Sequence, residues 1–89
     1  MMIITNIRPF MFAQQILVFD ENNKIIDTRE TSIKDLPENL CALVKKYNCN
    51  IIKLAGAKKY SKGLETKINA LFKAKYADAE DFQLNIECI

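Results

Sequence analysis

Apolar and polar positions divide the chain into strand-like and helix-like segments. Met2–Ile7 (MIITNI) is a β-branched run closed by Arg8-Pro9, and a proline without an amide hydrogen ends a ladder or sits at its edge. Residues 10–19 (FMFAQQILVF) read as a strand inside a sheet, covered on both faces in its C-terminal half. The polar turn Asp20-Glu21-Asn22-Asn23 and the returning run at 24–28 (KIIDT) complete a hairpin signal. Ser32 and Asp35 are candidate helix caps and Pro37 suits a first helical turn. Leu36, Leu40, Leu43, Val44 and Tyr47 then recur on one helical face, with Lys45 and Lys46 placed to complement the dipole in the last turn and Asn48 as a stop. The run at 50–55 (NIIKLA) is a strand ended by Gly56. A second helix, starting between Ala57 and Ser61, turns Tyr60, Leu64, Ile68, Leu71 and Phe72 to one side, with Gly63 as a weak point near its start. Residues 78–81 form an acidic connection, and Phe82, Leu84, Ile86 and Cys88 alternate with polar residues as a half-buried strand near a sheet edge.

The order strand, strand, strand, helix, strand, helix, strand predicts a single α/β domain over 1–89: a mixed sheet in which a three-stranded antiparallel meander precedes two crossovers. Length agrees, since 89 residues hold one core. Hydrophobic residues make up 49% and there are only two Gly and two Pro, which is a globular composition. So short a chain buries about 60–65% of its unfolded surface, so it is either marginally stable or has a partner. No apolar run approaches the roughly 18 residues of a membrane span. The first residues lack the charged start of a secretory leader, and three cysteines (Cys41, Cys49, Cys88) with no C-x-x-C pair do not make a disulfide framework. These features predict a cytoplasmic protein with free, mostly buried thiols. Its wealth of Ile, Lys and Asn suggests an AT-rich genome, such as that of a phage or a low-GC bacterium.

Four passages, MIITNIRP, QILVFDENNKIID, LCALVKKYNCNIIKLAG and KGLETKINALF, together resemble the ribonuclease H-like superfamily, shared with actin-like and resolvase-like proteins, in which a meander precedes helix, strand, helix, strand. The resemblance is one of element order and covers nearly the whole chain. Nucleases of that superfamily carry an Asp on the first strand and further carboxylates nearby to hold two metal ions. Here the corresponding stretches are Thr5-Asn6-Ile7 and Leu54-Ala55-Gly56, without an acid. The resemblance therefore implies a degenerate, non-catalytic member.

The chemistry-bearing residue types point the same way. There is no His, so the commonest general base and zinc ligand are missing. Two glycines cannot make a Gly-rich phosphate loop. We therefore expect no catalytic set, no metal site and no cofactor. Between Lys45 and Lys75 lie nine lysines opposed only by Glu65, although the formal net charge is +2 and Arg8 and Arg29 are the only arginines. Lys58, Lys59 and Lys62 follow the fourth strand, at the kind of sheet end where α/β domains bind ligands, and read either as a nucleic-acid contact or as a solvated lysine face. Phe10, Met11 and Phe12, beside Pro9, read either as core or as a protruding anchor for a partner. The expected function is a non-catalytic interaction or assembly module, self-associating as a homodimer through an edge strand or the 10–12 bend. The alternative is a nucleic-acid-binding accessory protein using its lysines. A third, weaker reading is a remnant metal-dependent nuclease using Asp20 and Asp27.

Overall fold

The computed structural model describes residues 1–76 and 82–89. Its elements run β1 (Met2–Ile7), β2 (Ala13–Phe19), β3 (Ile25–Ser32), α1 (Leu36–Tyr47), β4 (Ile51–Gly56), α2 (Lys58–Lys75) and β5 (Asn85–Cys88). The five strands form one mixed sheet in the order β3-β2-β1-β4-β5. β1 and β3 are each antiparallel to β2, whereas β4 is parallel to both β1 and β5. The mixed α/β class and the antiparallel meander follow the sequence pattern. The acidic connection expected at 78–81 lies outside the described residues.

Strand direction decides where the helices go. β3, β4 and β5 all run the same way, and the connections β3–α1–β4 and β4–α2–β5 both move toward the β5 edge. Crossovers of one hand that move in one direction lay their helices on one face of a sheet. Accordingly α1 packs on β1 and β3, α2 on β4 and β5, and the helices pack on each other. Register then sorts the side chains: Ile3 lies beside Val18 and Ile52, and Thr5 beside Ile16 and Leu54, all buried under the helices. From the helices come Leu36, Leu40, Leu43, Val44, Leu64, Ile68 and Phe72. Truncating a buried Leu in such a core to Ala costs about 2–5 kcal/mol.

Among the described residues, no helix lies on the other sheet face. Ile4, paired with Leu17 on one side and Lys53 on the other, is only half-buried, as are Leu17 and Phe19. The expectation that the second half of β2 is covered on both faces is therefore corrected: two helices suffice for one face, and β2 alternates inward Gln14, Ile16 and Val18 with outward Gln15, Leu17 and Phe19. β2 also begins at Ala13, not Phe10, and β3 runs on to Ser32 with a bulge opposite Val18 and Phe19. Ser32 thus ends a strand, yet it still shapes the helix start. Its hydroxyl donates to Asp35 Oδ2 at 3.1 Å and its Oγ accepts the Asp35 N–H at 3.2 Å. Asn39 Nδ2 ties α1 back to β3 by donating to Thr31 Oγ1 at 2.8 Å. Asn48, in left-handed geometry, ends α1 as expected.

A polar contact also joins α1 to β3. Tyr47 Oη donates to Asp27 Oδ2 at 2.5 Å, with Lys46 Nζ 3.6 Å from the same oxygen. The Tyr47 hydrogen bond, helped by Lys46, holds the Asp27 carboxyl below its ordinary range. A carboxyl whose folded pKa lies below its unfolded value stabilises the fold above the unfolded pKa and loses that contribution as pH falls through the folded one. Tyr47→Phe should therefore show a shallower loss of stability than wild type as pH drops below about 4, the unfolded Asp value, read from urea midpoints across a pH series.

Candidate interaction site

Parallel pairing of β1 with β4 places Ile7 beside Gly56, so the segments that follow both strands leave the sheet at the same end. Pairing of Ala13 with Ser32 brings the exit of β3 there as well. One end of the sheet thus gathers Arg8 and the 8–12 loop, Ile33 and Lys34, and the first turn of α2 with Lys58, Lys59 and Lys62. The sequence predicted the lysine segment and the Phe10–Phe12 segment as separate features, and the register places both at one end of the sheet. Gly56 makes the junction close. It has φ +98°, and a Cβ there would lie 2.5 Å from the Ile7 carbonyl oxygen and 2.7 Å from Asn6 Oδ1. Only glycine fits both that conformation and that approach.

The loop between β1 and β2 is built around one buried amide. The Gln14 side chain is 1% exposed. Its Oε1 accepts the Arg8 N–H at 2.8 Å, and its Nε2 donates to the Arg8 carbonyl at 2.7 Å and to the Met11 carbonyl at 2.9 Å. The Met11 N–H closes the turn on the Arg8 carbonyl at 3.0 Å. With the backbone groups satisfied from inside, the side chains are directed outward. Phe10 is 99% exposed, Phe12 87% and Met11 51%. Of the two sequence readings for these residues, core and protruding anchor, the geometry is that of the anchor. The sequence did not reveal Gln14 as the brace, although a Gln on the inward phase of a strand is a signal that its amide has a specific partner.

Positive charge gathers at the same end of the sheet. Arg8, Lys34, Lys58, Lys59 and Lys62 are all exposed. α2 begins without a side-chain cap and with no acidic residue in its first turn, so Lys58 and Lys59 face the positive end of the helix dipole. Each such lysine is unfavourable by about 0.3–1 kcal/mol. Gly63, one turn further on, has nothing within 4 Å of where a Cβ would stand. Packing therefore does not require glycine there, and its presence in a helix interior costs about 0.5–1 kcal/mol relative to Ala.

The remaining candidates serve local structure. Asp20 Oδ1 accepts the Asn22 and Lys24 N–H groups at 2.8 and 2.9 Å and so caps the β2–β3 turn, while Asp27 faces α1 through Tyr47. The structure does not bring the two acids to a common point, and no cluster of three or more His, Cys, Asp or Glu side chains able to hold a metal occurs among the described residues. Cys41 and Cys49 are buried, and burial pushes the Cys41 thiol up to about 11. Half-buried Cys88 is raised too, by burial and by its contact with Glu65. Thiols held protonated in this way are poor nucleophiles. No helix among the described residues is long and apolar enough to cross a membrane.

Gln14→Leu keeps the volume but strips three partners from the 8–12 loop, and should destabilise the fold by about 1–3 kcal/mol while speeding exchange of the Arg8 amide. Gln14→Glu offers a sharper check. Ionised, it aims a carboxylate oxygen at the Arg8 and Met11 carbonyls, and protonated it can donate to one of them. Its folded pKa should lie above the unfolded value near 4.3, so its deficit against wild type should shrink as pH falls through that folded value, measured by paired denaturant titrations. The chain matches no protein-family model, no curated protein and no solved structure.

Proposed function

We propose that this chain is a non-catalytic interaction module whose working surface is the sheet end carrying Phe10, Met11 and Phe12. The observation that carries the reading is a loop whose backbone is fixed by a buried glutamine while its two phenylalanines stand almost wholly in solvent. Exposing large aromatic surface on a rigid support is a common device of binding surfaces, because the anchor loses little conformational freedom on docking. The element order supports placing the module beside the ribonuclease H-like proteins as a degenerate member, working in a reducing cytoplasm with its thiols unpaired. Self-association is the form of partnership we infer, the Phe10–Phe12 tip of one copy seating on a second. Sedimentation across micromolar to millimolar concentrations should show the average mass rising above the 10.2 kDa of one chain. A Phe10→Ser/Phe12→Ser variant should stay at one chain mass with stability within about 0.5 kcal/mol of wild type, because neither ring is packed. A wild-type protein that remains a single chain throughout would overturn the self-association reading.

A second reading is favoured by the cations at the same end. Cations such as Arg8, Lys58, Lys59 and Lys62 at the same end as exposed aromatic rings are the combination that tracks a nucleic-acid backbone and stacks its bases. In that case polarisation of a labelled single strand should report binding at low salt that weakens steeply as salt is raised and is lost in Lys58→Glu/Lys62→Glu. Absence of binding to single or double strands of DNA or RNA at low salt would eliminate it.

A further inference from the structure

A second surface lies on the helical side of the same end. Lys34, just after β3, and Lys59 and Lys67 on α2 rim a shallow groove floored by Ile33, Leu64 and Gly63, with Tyr60 on its wall. Lys59, Gly63 and Lys67 are one helical turn apart in succession, so the two lysines stand about 12 Å apart along the axis with the glycine between them. Among the described residues, no acidic side chain lines the groove. None of its three lysines makes an ion pair among the described residues, where the pairs fall to Lys46, Lys53 and Lys75. Tyr60 is 49% exposed.

Two locally unfavourable choices meet here. α2 opens with lysines against its own dipole and without an acid or a side-chain cap. It then carries a glycine whose missing side chain nothing in the fold requires, leaving a notch in the groove floor. Departures from local helix preference that bring no packing gain are expected where a surface serves something outside the fold. An anionic occupant offsets the first, and a side chain seated in the notch gives the second a purpose.

We propose that this groove binds an acidic, amphipathic segment of a partner protein: carboxylates against Lys34, Lys59 and Lys67, and an apolar side chain over Gly63 between Ile33, Leu64 and Tyr60. The proposal rests on the interaction-module reading and names a partner for it. A polypeptide fits better than a nucleic acid because the floor is aliphatic, a single aromatic ring is present, and the rim has lysines but no arginine, whose planar fork favours phosphate.

The test titrates the full chain with a fluorescent twelve-residue peptide of Glu, Leu and Phe at low salt, alongside a Lys, Leu and Phe peptide and a twelve-nucleotide thymidine strand. The acidic peptide should bind and the basic one should not. Lys59→Glu/Lys67→Glu should weaken acidic-peptide binding by about tenfold or more. Gly63→Ala should raise the melting temperature and still weaken peptide binding, a pairing that damage to the fold cannot produce. Phe10→Ser/Phe12→Ser should leave peptide affinity unchanged, which separates this groove from the loop tip. No binding of the acidic peptide, binding indifferent to the charge reversals or to Gly63→Ala, binding lost with the loop variant, or binding of the thymidine strand in preference to the peptide would each overturn the proposal.

Discussion

β1 is hydrogen-bonded along both edges, antiparallel to β2 and parallel to β4, and the rest of the molecule is arranged by that double pairing. The antiparallel side lets the chain return through a short loop, and the parallel side requires a crossover, so the loop and the start of α2 emerge from the same end. Gly56 sets how closely those two exits approach, because a side chain there would collide with the backbone of Ile7. An exposed aromatic tip and a cluster of lysines, far apart in the chain, come to the same end of the sheet through a backbone register in which neither takes part.

Size limits what lies on the two faces of the sheet. Because both crossovers run toward β5, α1 and α2 fall on one face. That face receives the buried isoleucines of β1, β2 and β4, while Ile4, Leu17 and Phe19 on the other remain half-buried. The outward face is not purely apolar: Asn6, Gln15 and Lys53 interleave with those residues, and Lys53 pairs with Glu87 across β4 and β5. Mixed composition keeps such a face soluble without a third layer.

Much of this was legible in the residues because helix and strand periods differ and both are clean here. The face of α1 and the β-branched runs of β1 and β4 could be read directly, as could Leu64, Ile68, Leu71 and Phe72 of α2, whereas Tyr60, expected on the same face, stands exposed in the first turn. Residues 10–19 misled because composition alone does not separate a strand from the loop leading into it. FMF looks as apolar as ILVF, and the difference lies in Gln14, whose amide takes up the backbone of Arg8 and Met11 and turns the preceding rings outward. Double coverage of β2 was expected for a related reason: a continuous apolar run resembles a strand buried on both faces, and only the direction of the crossovers shows that one face receives no helix. That the lysines and the phenylalanines share an end was not legible at all, because it follows from the pairing of Ile7 with Gly56.

Local preference and global fold agree along most of this chain, which gives the disagreements their weight. α1 has a proline in its first turn, an acid near its start, lysines near its end and a left-handed asparagine as its stop, each where helix physics favours it. Neither helix has a side-chain hydrogen bond at its N-cap, but α2 also has no acid in its first turn, two lysines against the dipole and an interior glycine with empty space above it. Both helices serve the same core from the same side of the sheet, so demands of packing do not explain the contrast. α1 meets solvent along its outer surface. The first turns of α2 stand at the end where β1 and β3 also leave the sheet, and there the sequence favours charge and open space over helix stability, as a surface selected for contact with another molecule would.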